Sequence, residues 1–182
     1  MKTRWVATWA LVLAACGSNA PPPPNVIGGY PLVLRDVSYV EGTCPNNQLS
    51  CLIVTASDTV NACALQQTNH SSNAFYANSS FAVFELYAAT GVPTPIPSGT
   101  YPVYRQGSAV GGGPAALVTF YKLDPNCGAA LIAYGSTGSV TLGQTGTVID
   151  YQVGFDTGTL AATGVTAVAC DVNPDTGNPY CI

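Results

Sequence analysis

The chain of 182 residues is poor in charge: five lysines and arginines and nine aspartates and glutamates make up 8% of it, for a formal net charge of −4 at neutral pH. Only three of the basic residues, Arg35, Arg105 and Lys122, lie beyond the first sixteen positions, whereas all nine acidic ones do. Nucleic acid and anionic headgroups are held by clustered Lys and Arg, so this balance argues against either as a direct partner of the folded part.

Lys2 and Arg4 precede a largely apolar run over residues 5–13, and small residues follow, which is the three-part layout of an export signal. The run is too short to cross a bilayer, since a spanning helix needs about 20 apolar residues. An ordinary signal cut after Ala15 or Ala20 is one reading. The first cut sets Leu13 where a small residue is preferred, and the second sets Ser18 there. Leu13-Ala14-Ala15-Cys16, followed by Gly17, resembles the lipobox of bacterial lipoprotein precursors, and the resemblance covers residues 1–17 alone. It implies a signal peptide over 1–15, cleavage before Cys16, a diacylglycerol thioether on that cysteine and a fatty acyl chain such as palmitate on the new amino terminus. Two or more acyl chains make a stable anchor where one does not. Gly17, in place of an aspartate, implies the outer rather than the inner membrane, with the membrane a partner through lipid only.

Cysteine parity bears on the same residue. Seven cysteines leave one odd thiol in an oxidising compartment, and assigning Cys16 to lipid leaves Cys44, Cys51, Cys63, Cys127, Cys170 and Cys181, which can pair in 15 ways. No two of these stand two to four residues apart and His70 is the only histidine, so disulfides are favoured over a metal site. The pairs expected are Cys44–Cys51, Cys63–Cys127 and Cys170–Cys181. Residues 16–25 form the lipidated end and tether, in which Pro21 to Pro24 favour an extended, stiff spacer.

Residues 26–182 are enough for one disulfide-bearing domain. Strand-like runs occur at 30–40, 51–56, 81–89, 101–105, 115–123, 129–134, 139–142, 147–155 and 159–171, separated by glycine- and proline-bearing turns. About nine such strands predict an all-β fold, an antiparallel β-sandwich with a closed β-barrel as the alternative. One short helix is predicted over 58–67, with Ser57 as N-cap and Val60, Cys63 and Ala64 turned inward.

The motifs with chemical potential are weak. Asp156-Thr157-Gly158 and Asp175-Thr176-Gly177 repeat the aspartic-protease triplet, but nineteen residues cannot build a lobe between them, and the same tripeptide suits a hairpin turn. Asp171, Asn173 and Asp175 supply oxygens at alternate positions like a calcium loop, yet Pro174 interrupts it and Ile182 falls where a carboxylate belongs. A serine nucleophile lacks both a Gly-x-Ser-x-Gly elbow and any histidine but His70, which reads as a loop residue. Glu85 reads equally well as a solvent-facing strand position. Tyr101, Tyr104, Tyr121, Tyr134 and Tyr151 lie in or beside strands and read as packing ahead of sugar binding. The expectation is a non-catalytic binding or interaction module of the cell envelope, without cofactor, whose partner is a protein or a glycan met by loops such as 91–99 and 106–113. An aspartate-dependent secreted hydrolase and a structural envelope component are the alternatives.

Overall fold

The computed structural model describes residues 25–43, 50–71, 74–88, 95–108, 112–144, 147–172 and 180–181. The signal segment, Cys16, the proline tether, Cys44, Asn173 and Asp175 lie outside the described residues. In chain order the elements are β1 (Val26–Ile27), β2 (Tyr30–Pro31), β3 (Asp36–Thr43), β4 (Ser50–Ser57), α1 (Ala62–Thr68), β5 (Ala74–Phe75) and β6 (Ser80–Tyr87). There follow β7 (Gly99–Pro102), β8 (Ala115–Leu123), β9 (Ala129–Leu142), β10 (Val148–Phe155), β11 (Gly158–Thr166), β12 (Val168–Ala169) and β13 (Tyr180–Cys181).

The expected all-β character and single short helix are both present. Eleven of the strands form one curled open sheet, a half-barrel, in the order β12-β3-β4-β6-β8-β9-β10-β11-β1-β2, with β7 on the free side of β9, and β5 and β13 pair in a separate two-stranded sheet. This arrangement does not confirm two packed sheets. One residue after β11 the chain continues as β12, which pairs in parallel with Ser38 and Tyr39 of β3, so the curl brings the far end of β11 back to the first long strand.

Alternation in β4, β6 and β8 serves two cores rather than a core and solvent. Leu52, Val54, Ala82, Phe84, Leu86, Val118 and Phe120 point into the curl, where Val140, Ile149, Tyr151, Val153 and Leu160 close over them. On the opposite face Cys51, Ile53, Phe81, Val83, Tyr87 and Leu123 form a second cluster under Phe75 of β5. The ring of Phe81 stacks on Phe75 at 3.5 Å between centroids and on Tyr121 at 5.1 Å. A strand covered on both sides has no polar side to display, which explains the nearly unbroken apolar run from Phe81 to Tyr87.

Two expectations of local structure are corrected. The helix begins at Ala62, not residue 58, because Asn61 takes a left-handed conformation with φ of 59°. Ser57 is not its N-cap: the Ser57 hydroxyl accepts the Thr59 N–H at 3.0 Å, and Asp58 accepts the Ser80 N–H at 2.9 Å, which ties this turn to β6. The buried residues of α1 are Ala62 and Gln66, while Val60 is 55% exposed and Ala64 is exposed as well. The stretches 129–134 and 139–142 belong to one strand. Gly138 makes this possible, since its φ is +105° and a Cβ there would lie 1.9 Å from the Gln152 carbonyl oxygen across the ladder.

The disulfide pairing differs too. Cys63 is bonded to Cys170, with Cα atoms 5.6 Å apart, which overturns both Cys63–Cys127 and Cys170–Cys181. The cause is β12: pairing beside β3, with the Cys170 N–H donated to the Tyr39 carbonyl at 2.8 Å, carries Cys170 to the strand against which α1 packs. Cys51 and Cys127 are disulfide-bonded as well, and the Cys44 half of the expected Cys44–Cys51 pair lies outside the described residues.

Candidate functional site

The bend in β9 creates the candidate site. Its first half pairs with β8, through Leu131 opposite Lys122 and Tyr134 opposite Thr119, and its second half pairs with β10 and β7. Where the strand changes neighbours, the β10–β11 hairpin ends in the two-residue turn Asp156-Thr157, closed by Phe155 opposite Gly158. This tip is held from behind by β1: Val26 pairs with Thr159, and the Gly28 N–H donates to the Thr157 carbonyl at 3.1 Å.

Between the tip and β9 lies a groove of about 170 Å³, lined by Arg105, Leu131, Ile132, Ala133, Tyr134, Asp156 and Thr157. Arg105 and Asp156 form an ion pair across it at 3.2 Å, with both side chains largely in solvent. Such exposed pairs are worth little energy, so this one positions groups at the rim more than it stabilises the fold. Ile132 is 40% and Tyr134 45% exposed, and Tyr104 and Tyr30 are open to solvent as well. A separate shallow depression of about 180 Å³ along β9–β11 has Ser139, Thr141, Asp150, Tyr151, Gln152, Ala162 and Thr163 at its walls.

Beside Tyr134, on the same outer face as the second core, sits a small acid–phenol cluster. Glu85 is mostly buried rather than solvent-facing, and desolvation raises its pKa against a hydrogen bond from the Tyr87 hydroxyl, which lowers it. Burial, then the neighbouring Tyr134 and Glu85, push the Tyr121 hydroxyl up to about 12, against a hydrogen bond with Thr119. Inside the curl the Tyr151 hydroxyl is buried, has no hydrogen-bond partner among the described residues, and is pushed by burial to about 12. Its ring lies 4.8 Å from that of Phe84. Tyr101 is buried and its hydroxyl donates to the Pro97 carbonyl. The five strand tyrosines thus divide: Tyr101, Tyr121 and Tyr151 pack, while Tyr104 and Tyr134 are presented outward.

The other sequence candidates are dispersed. Asp156 stands in the hairpin turn and is ion-paired, and its sequence counterpart Asp175 lies outside the described residues. Asp171 is exposed, and among the described residues no group of three or more His, Cys, Asp or Glu side chains could hold a metal ion. His70 is exposed at the end of α1. Of the loop 106–113, Gln106 accepts a hydrogen bond from the buried Thr119 hydroxyl at 3.3 Å. Sequence reasoning missed Ile132 and Arg105. The available signals were the two-residue spacing of Ile132 and Tyr134 in a strand-like run and the scarcity of cations beyond residue 16.

No protein family model, curated protein or solved structure matches this chain.

Proposed function

We propose that this protein is a lipid-anchored component of the cell envelope, tethered to the outer membrane through Cys16, whose β domain is a non-catalytic binding module. The observation that carries the binding half of this reading is the groove in which Ile132 and Tyr134 stand exposed beside the Asp156-Thr157 tip and the Arg105–Asp156 pair. An aromatic and an aliphatic side chain, rimmed by an arginine and a carboxylate, are the elements of a contact hot spot. The groove is smaller than the roughly 300 Å³ at which small-molecule pockets begin. It therefore suits a single inserted group, one side chain of a protein or one sugar unit of a glycan, and not an enclosed substrate. The anchor half rests on the lipobox-like segment and on the odd cysteine count.

A photo-crosslinking residue placed at Tyr134 on intact cells tests the binding half. One discrete adduct that disappears with Ile132→Ser is the expected result. A diffuse ladder of abundant envelope proteins, unchanged by Ile132→Ser, would support a structural component instead. The anchor is tested by the intact mass of membrane-extracted protein, which is expected to fit residues 16–182 plus a diacylglycerol and a fatty acid. Recovery of an unlipidated soluble chain would remove that half of the reading.

A further inference from the structure

We infer that Cys127 is joined to Cys181, so that a disulfide clips the C-terminal strand β13 over the outer core. The inference rests on elimination within the fold and does not depend on the lipid anchor.

Cys127 is disulfide-bonded, and Cys63 and Cys170 are taken by each other. Cys51 is too far away to be its partner. It pairs with Tyr87, which pairs with Ala115 at the start of β8, whereas Cys127 follows the end of that strand at Leu123. Eight residues of strand at about 3.3 Å each separate the two ends by roughly 25 Å, against a Cα separation under about 7 Å for any disulfide. Cys44 is excluded by the same distance, because it directly follows Thr43, which pairs with Ser50 at the Cys51 end. Only Cys16 and Cys181 are left.

The backbone places Cys181 at the right end of the sheet. β13 runs parallel to β5 with Cys181 opposite Phe75, and Phe75 lies on Phe81, near the start of β6. From β5 the chain turns through Asn78, whose N–H donates to the Asp124 carbonyl at 3.2 Å. That same carbonyl accepts the Cys127 N–H at 3.1 Å, so the two amides lie within about 6 Å of each other. Cys127 itself has φ of 66°, in a tight turn whose Gly128 N–H is held by the Asp124 carboxylate at 2.8 Å. β5, β13 and the Cys127 turn are therefore neighbours. The bond forms when the two thiols give up two protons and two electrons to a thiol–disulfide exchange oxidant, whose own disulfide is reduced.

The assignment also constrains Cys51. By the same distances it cannot reach Cys181, so its partner is Cys44 or Cys16, and a lipidated Cys16 requires Cys44.

Digestion of the non-reduced full-length protein with a chymotrypsin-like protease, read by mass spectrometry, tests this. Cleavage after Leu123, Leu131 and Tyr180 isolates residues 124–131, which are expected to carry the dipeptide Cys181-Ile182 until reduction. Residues 124–131 recovered on a peptide containing Cys16, or without any partner, would overturn the inference. Cys51 mapped to Cys16 alongside an intact Cys127–Cys181 pair would sink the lipid anchor while sustaining this assignment, so the two readings fail separately.

Discussion

Gly158 faces the Val26 carbonyl so closely that a Cβ on it would lie 1.9 Å from the oxygen. The hairpin tip and the strand behind it can approach in this way only because residue 158 has no side chain. Gly158→Ala is therefore expected to cost on the order of 3 kcal/mol and to displace the Asp156-Thr157 tip from the groove. Chemical denaturation of the variant checks the first effect, and a loss of crosslinking from residue 134 at a temperature where the variant is still folded checks the second.

Phe81 is stacked between Phe75 and Tyr121 and fully buried. Phe81→Ala is expected to destabilise the domain by about 3–5 kcal/mol, as large-to-small changes in aromatic cores do. Hydrogen exchange is expected to quicken first in β5, whose Phe75 rests on the Phe81 ring. Uniform loss of protection across all strands would show that the outer core is not a separable layer.

The Cys63–Cys170 bond spans 107 residues. In the chain-entropy model, closing a loop of that order stabilises by about 4–5 kcal/mol. The paired substitution Cys63→Ala with Cys170→Ala is expected to lower the denaturation midpoint accordingly and to free β12 from β3, seen as rapid exchange of the Cys170-side amides. An unchanged midpoint would mean that the two-residue β12 ladder suffices without the bond.

Glu85 gives a pH dependence of defined sign. Burial raises its folded-state pKa above the ordinary 4.5, so the folded protein keeps this proton where the unfolded chain has released it. Its effect is that stability falls as pH rises from about the ordinary value to the raised one. Glu85→Gln, which keeps the shape and cannot ionise, is expected to flatten the stability curve across that window relative to the parent. Parallel curves for the two proteins would show that the carboxyl is not desolvated.

What the sequence disclosed and what it withheld follow the range of the interactions. Residues 115–123 read as a strand from their own composition and form β8 with those bounds, and Asp156-Thr157 reads as a hairpin turn and makes one. Gly138 signalled a turn, because glycine marks both turns and close strand crossings, and only the position of Gln152 decides between them. The helix start was misplaced because Asp58 bonds to Ser80, a partner 22 residues away. The ion pair at the groove was out of reach for the same reason: Arg105 meets Asp156 from 51 positions off, and nothing local marks the pair. Cysteine spacing misdirected the pairing, since which thiols meet is a property of the fold and not of their order in the chain.

The chain enters the domain against β11. Asn25 is bound into β11 by its own N–H to the Thr159 carbonyl and by its side-chain oxygen accepting the Ala161 N–H. It therefore leaves the fold directly behind the Asp156-Thr157 tip. Eight residues lie between Cys16 and Asn25, a span of no more than about 30 Å even at full extension. If the chain is held at Cys16, that exit sets the Asp156-Thr157 tip at the anchored end of β11 and the Cys63–Cys170 seam, which follows its other end, farther from the anchor.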